Sequence, residues 1–235
     1  MPVALIDGDV LLHWALWGTK SLNDFKKNVE ETLPDWVEAP FCEDYILALG
    51  SPDGKNYRDD VFPDYKQSST RAAGRKKRVA HSKASRGWLN QRDDSFVADN
   101  IEADDLLGIW ATDLGGEGVI VTVDKDLDQI PGPHYNPRRN QLYHVSEQEA
   151  ADFFLLQMLT GDPMDNIPGV MQLGPVKSKA ILETAEDKPK EVISQYQRVY
   201  GDDWQSHFLT NGKLLFIQRR ADQHFTFKTY EELYS

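Results

Sequence analysis

One cysteine, Cys42, stands in 235 residues. It cannot form an internal disulfide, and there is no Cys cluster for zinc, so a disulfide scaffold and a zinc ribbon are both excluded. A reducing compartment, the cytoplasm, fits. Long apolar runs are equally scarce. None approaches the roughly 20 residues that cross a bilayer. The first, Val3 to Ile6, is interrupted by Asp7 and Asp9 and has no basic leader, so neither a signal peptide nor a membrane partner is expected. There is no internal repeat and no low-complexity tract. Positive charge is short overall, with 26 Lys and Arg against 38 Asp and Glu and a net charge of −12. That average argues against a polyanionic partner.

The distribution of charge argues the other way. From Lys66 to Arg92 nine Lys or Arg (Lys66, Arg71, Arg75, Lys76, Lys77, Arg78, Lys83, Arg86, Arg92) occur without one Asp or Glu. The rest of the chain is more acidic still. Such asymmetry points to nucleic-acid contact, the plain alternative being a solvated basic loop. Ser68 to Ser85 is poor in large apolar residues. It lacks the apolar surface that would offset its own ordering, so it is expected to order on a ligand.

The acids gather where strands end. Val3 to Ile6 reads as a strand running into Asp7-Gly8-Asp9, followed by a helix over 10–17. A more polar helix over 20–33 closes at Pro34, and Tyr45 to Leu49 is the next strand, ending near Ser51 and Asp53. Ala103, Leu106, Leu107, Trp110 and Leu114 recur at the helical period and stop at Gly115, Gly116 and Gly118. Val119 to Val123 is a β-branched run ending in Asp124-Lys125-Asp126. Alternating strands and helices predict a parallel sheet with helical crossovers, whose sites lie at the carboxyl edge of the strands. Glu102, Asp104 and Asp105 at a helix start would then face Asp124 and Asp126 at a strand end. Carboxylates so crowded are usually compensated by one or two divalent cations. The plain reading of the same residues is a capping box from Asp99 to Glu102 and acids suited to a first helical turn. Beyond, Leu142 to Val145 is a candidate edge strand and Glu147 to Thr160 a helix. A turn-rich stretch leads from Gly161 to a helix opened by Gly174-Pro175. The remainder, over about 188–220, reads as helices. Such turns present backbone N–H groups to phosphates.

Five motifs in this order resemble one family. They are Asp7-Gly8-Asp9; Tyr57-Arg58 through Asp64-Tyr65-Lys66; Glu102-Ala103-Asp104-Asp105; Asp124-Lys125-Asp126; and Gly161-Asp162-Pro163-Met164-Asp165-Asn166-Ile167-Pro168-Gly169-Val170. The chain resembles the structure-specific 5′-nucleases: phage flap endonucleases and 5′–3′ exonucleases, and the 5′-nuclease domain of bacterial DNA polymerase I. The resemblance implies an α/β, PIN-like nuclease core over residues 1–146. It includes a mainly parallel central sheet and a flexible helical arch at about 66–92. It implies a helical DNA-binding subdomain over 147–235, with a helix–three-turn–helix element at about 150–185. By motif match Asp7, Glu102, Asp104 and Asp105 would form one metal cluster, and Asp124, Asp126, Asp162 and Asp165 a second. Asp53 is a further candidate, with Ser51 as the alternative at that position.

Two Mg²⁺ or Mn²⁺ ions would be held there, and a K⁺ ion at the helix–three-turn–helix. Lys66 would contact the scissile phosphate, with Arg71 a second cation, although Gln67-Ser68-Ser69-Thr70-Arg71 departs from the family's Asn-Arg wording. Arg75, Lys76, Lys77, Arg78, Lys83, Arg86, Gly169, Gly174, Lys177 and Lys179 would bind DNA. The expected substrate is DNA with a 5′ end or flap, or an RNA–DNA hybrid. The expected protein is a monomer, cytoplasmic or, if phage-encoded, in the host cytoplasm; the free-standing chain suits a phage-type enzyme. Two rival readings exist. Asp7-Gly8-Asp9 also fits haloacid-dehalogenase-type phosphatases, but Leu11 stands where their Thr or Ser would be, and the basic run is left unexplained. A DNA-binding module with a dead site is disfavoured by the filled acidic positions.

Overall fold

A computed structural model describes residues 1–67 and 80–234. Arg71, Arg75, Lys76, Lys77 and Arg78 lie outside the described residues. The described chain divides into two units: residues 1–56, 80–147 and 217–222, and residues 57–67, 148–216 and 223–234. These are discontinuous, unlike the expected division after residue 146.

The first unit is built on a six-stranded sheet: β1 (Val3–Asp7), β2 (Asp44–Leu49), β3 (Ser95–Val97), β4 (Gly118–Val121), β5 (Gly132–Asn136) and β6 (Gln141–Val145). Their order is β3-β2-β1-β4-β5-β6. The first five run parallel, and β6 pairs antiparallel with β5 as an edge. Strand order reverses between β1 and β4, so the crevice typical of open α/β sheets opens beside Asp7. The alternation of side chains along each strand divides the core. Ala4, Ile6, Leu47, Leu49, Val119 and Val121 pack under α1 (Gly8–Ala15) and α2 (Leu22–Glu38). Leu5, Ala48 and Ile120 pack on the other face against Ala103, Leu107 and Ala111.

Helix α2 corrects one expectation, for it does not end at Pro34. Phe25, Val29, Leu33 and Trp36 form one buried stripe that carries the helix through to Glu38. Pro34 faces solvent, where a missing N–H bond is best tolerated. Helix α3 (Tyr57–Val61) belongs to the second unit. Helix α4 (Ser82–Leu89) and strands β3 and β5 are not among the elements expected from the sequence; β3 has only three residues. Helix α5 (Ala103–Leu114) starts three residues later than a cap at Asp99 would give. Asn100, at φ 56, turns the chain just before it.

The second unit contains α6 (Glu147–Thr160), α7 (Pro175–Thr184), α8 (Lys188–Tyr200), α9 (Trp204–Leu215) and α10 (Phe227–Leu233). Its core is aromatic: Phe154, Tyr196, Phe208, Phe216, Phe225 and Tyr230 with Met158 and Leu159. Residues 216–220 leave the helical state expected there, and 217–222 belong to the first unit. No helix among the described residues is long and apolar enough to cross a membrane. The turn between α6 and α7 closes on itself, with Gly161 and Gly169 at positive φ and their backbones in contact. A Cβ at Gly161 would lie 2.2 Å from the Ile167 carbonyl oxygen and 2.4 Å from the Gly169 nitrogen. Gly161→Ala should therefore destabilise the protein by about 2–3 kcal/mol, since backbone and not a pliant side chain blocks it. A urea midpoint unchanged from wild type would show that the turn has room.

Candidate active site

Neighbouring parallel strands deliver polar residues to one sheet edge. Strand β1 ends at Asp7, and β4 runs out into Thr122 and Asp124. Asp7 Oδ1 accepts the N–H groups of Asp9 (3.1 Å) and Val10 (2.9 Å), which caps α1. Its Oδ2 accepts the Thr122 hydroxyl at 2.9 Å. That hydroxyl oxygen accepts the Asp124 N–H at 3.0 Å, and Asp124 Oδ1 accepts the Asp126 N–H at 2.9 Å. The carboxyl of Asp7 is only 3 % exposed. Burial raises its pKa to about 7, with the charge of Asp9 next; Asp124 adds to this, while the Val10 N–H and the Thr122 hydroxyl oppose it.

The start of α5 comes to the same edge. Glu102 is its N-cap, and Asn56 Nδ2 donates to Glu102 Oε1 at 3.2 Å. Asp105 is fully buried. It accepts the Glu102 N–H at 3.0 Å on one oxygen and the Gln218 N–H at 3.0 Å on the other. The reciprocal cap is thus Glu102 with Asp105, replacing Asp99 with Glu102. Asp104, half-buried, occupies the first turn. Gly50 marks the convergence: a Cβ there would lie 2.9 Å from Asp9 Oδ2 and 4.0 Å from the Ala103 nitrogen.

The expected gathering of five carboxylates is therefore not a ready cage. Among the described residues no three acidic, His or Cys side chains stand close enough to enclose an ion. Asp7 and Asp105 turn to N–H and O–H donors, which offset the desolvation of a buried carboxyl. The residues still fit a hard divalent cation. The donors are oxygens, like charges crowd one edge, and the buried carboxyl is pushed towards neutrality.

Other sequence candidates fall elsewhere. Asp53 is exposed in a turn of its own, accepting the Ser51 hydroxyl at 2.6 Å and the Lys55 N–H at 3.0 Å. Both hold its carboxyl below the usual range, the Ser51 bond foremost. Ser51, the alternative, serves that same turn, so the local loop accounts for both. Arg86 was expected on DNA, but its guanidinium points inward to Asp9 and the Gly50 carbonyl. Lys83 is exposed. In the second unit Lys66, at φ 56, donates its backbone N–H to the Asp165 carbonyl at 2.8 Å. Its ammonium lies 3.8 Å from the Asp165 carboxylate. Asp162 Oδ1 accepts the Met164 N–H at 2.7 Å, an Asx turn inside the Asp162–Ile167 bridge. The Gly169 carbonyl accepts the Tyr200 hydroxyl and Asn211 Nδ2, fastening the turn to α8 and α9. Gly174 caps α7, whose Lys177 is exposed and whose Lys179 pairs with Glu183.

Several residues were missed from sequence. Thr122 had a signal, a lone hydroxyl inside an apolar run. Asp9 reads as a strand-end acid in the same tripeptide as Asp7, with no role given to it from sequence. The Gln218 N–H had none, because 113 positions separate it from Asp105.

No protein-family model matches the chain. It is 24 % identical to a 5′-3′ exonuclease of Buchnera aphidicola subsp. Schizaphis graminum, over 98 % of this chain and 84 % of that protein. It is 27 % identical to flap endonuclease Xni of Vibrio campbellii, over 61 % of this chain; that match spans 62 % of the relative's length. The D15 protein of bacteriophage T5, co-crystallised with metal ions, superposes with a TM-score of 0.66. It has 18 % identity and covers 92 % of this chain and 86 % of that one. The fold is that of the 5′-nucleases. The same T5 protein, as a flap endonuclease in a complex with DNA and metal ions, superposes with a TM-score of 0.57 and 13 % identity over 92 % of this chain and 99 % of that one. In sequence and in fold the chain resembles 5′-nucleases.

Proposed function

We propose that the chain is a divalent-metal-dependent 5′-nuclease, a 5′–3′ exonuclease or flap endonuclease, that hydrolyses phosphodiesters near DNA 5′ ends. The observation that carries this reading is the buried Asp7 carboxyl at the β1–β4 crevice, crowded by Asp9 and Asp124. The 5′-nuclease likeness supports it. Asp7, Asp104 and Asp124 would hold a divalent ion, with Asp126 and Glu102 beside them. Asp105 would act through the cap that fixes the start of α5. When bound, such ions activate a water and stabilise the leaving oxygen of an in-line displacement. An all-oxygen donor set suits Mg²⁺ or Mn²⁺, two ions in our reading. Water attack would leave a 5′-phosphate.

Lys66 would meet the scissile phosphate, its charge stored meanwhile against Asp165. Asp162 and Asp165 would support the second ion. The turn after α6, with Gly174, Lys177 and Lys179, would grip duplex phosphates through N–H groups and cations, and would hold the K⁺ ion. Arg71, Arg75, Lys76, Lys77 and Arg78 would complete the contact. We place the protein in the cytoplasm as a monomer, with RNA–DNA hybrid as a second substrate class.

The test is a 5′-flap duplex labelled at each end. Cleavage to a 5′-phosphate should occur with Mg²⁺ or Mn²⁺ and stop in EDTA. Asp104→Asn should lower the rate by about three powers of ten. Undiminished turnover in chelator would overturn the metal-dependent reading.

A further inference from the structure

Arg86 is a cation placed inside an acidic edge. It sits in the last turn of α4, half-buried. One guanidinium nitrogen donates to Asp9 Oδ1 at 2.5 Å, and the other donates to the Gly50 carbonyl at 2.6 Å. Asp9 Oδ2 in turn accepts the Gly50 N–H at 3.3 Å. The three residues close a ring that joins the carboxyl ends of β1 and β2 to α4. The missing side chain at Gly50 makes the ring possible, since a Cβ would stand 2.9 Å from the Asp9 carboxylate and 3.6 Å from the guanidinium. Both oxygens of Asp9 are thereby engaged. Asp7, two residues away, has no such cation among its hydrogen-bond partners in the described residues and faces Asp124 instead.

We propose that Arg86 is a positioning residue of the metal centre. It holds Asp9 out of the ion's ligand set and supplies a fixed positive charge that sets how tightly the edge takes a divalent cation. The proposal rests on the metal-dependent reading above. A planar fork spanning a carboxylate and a carbonyl holds one geometry, which a free side chain would not. Its charge acts on any ion bound at Asp7 and Asp124 through Coulomb repulsion. For a unit charge against a divalent one at about 8 Å in a water-rich edge, that repulsion is worth about a five- to tenfold change in affinity.

The experiment is calorimetric titration of the full chain with Mg²⁺ and with Ca²⁺, without DNA. Arg86→Gln should bind the ion about five- to tenfold more tightly than wild type. Asp9→Asn, which leaves the guanidinium uncompensated, should bind it more weakly by a similar factor. The double variant should return near wild type, and Arg86→Lys, which keeps the charge, should stay within about threefold. Opposite signs in the two single variants are what a merely structural ring would not give, since damage to the edge weakens binding in both. Weaker or unchanged binding by a folded Arg86→Gln, with wild-type binding intact, overturns the role of Arg86 alone. Absence of any ion binding by the wild type overturns this role and the metal-dependent function together. If Arg86→Gln does not fold, the Asp9→Asn and Arg86→Lys arms decide: binding by Asp9→Asn as tight as wild type overturns the proposal.

Discussion

Asp7→Asn should give a protein that is more stable than wild type without metal and nearly inactive with it. The carboxyl sits at about 7 against its ordinary 3.8, because burial and the charges of Asp9 and Asp124 outweigh the Val10 N–H and the Thr122 hydroxyl. Between those two values the folded chain keeps a proton that the unfolded chain has released. The contribution of Asp7 to stability therefore falls as pH rises from about 4 to about 7, and the whole of that penalty stands above 7. An amide keeps an oxygen for the N–H groups of Asp9 and Val10 but carries no charge. At pH 8 the variant should gain about 1–3 kcal/mol in urea unfolding, and the gain should shrink towards pH 4. Mg²⁺ should raise the melting temperature of the wild type and leave that of the variant almost unmoved, since an ion stabilises only the state that binds it. Cleavage should fall by about three powers of ten. A variant that is less stable than wild type at pH 8, or one that still cleaves at the wild-type rate, would contradict this account of Asp7.

Arg58→Ala should cost about 3–5 kcal/mol. Arg58 is 2 % exposed. Its Nε donates to the Leu214 carbonyl at 3.1 Å and its Nη2 to the Phe216 carbonyl at 2.7 Å. The guanidinium lies 4.8 Å from the Tyr57 ring, whose hydroxyl donates to the Lys213 carbonyl at 3.2 Å. These carbonyls end α9, where a helix has no N–H of its own to offer and carries partial negative charge. A cation with a fork of donors answers both needs. Removal leaves buried carbonyls without those donors and a void of guanidinium size. Arg58→Lys should recover part of the loss and not all, because one ammonium cannot span both carbonyls with the same geometry. Urea unfolding measures both; a loss under about 1 kcal/mol for Arg58→Ala would mean that α9 ends without its help.

The sequence alone determined the alternation of strands and helices, because apolar periods of two and of 3.6 residues are local properties. Glu147–Thr160 and the helix opened by Pro175 lie where their signals put them. It also determined that acids stand at strand ends, since Asp7, Asp124 and the Glu102–Asp105 group each adjoin a legible element. It did not determine what those acids touch. Whether Asp53 joins the edge or folds into its own turn was not written locally, and hydrogen bonds to Ser51 and Lys55 decide it. Whether Arg86 faces solvent or Asp9 depends on α4 coming to rest beside β1 and β2, a packing outcome with no periodic trace. The grouping of residues 57–67 with the second unit and 217–222 with the first is of the same kind. Arg58 reaches its carbonyls 156 and 158 positions away, and the Gln218 N–H reaches Asp105 across 113. Local pattern fixes which elements form and which face of each is apolar. Partners so far apart along the chain meet only when those faces are buried, and so the tertiary structure alone decided the charge and hydrogen bonding of the site.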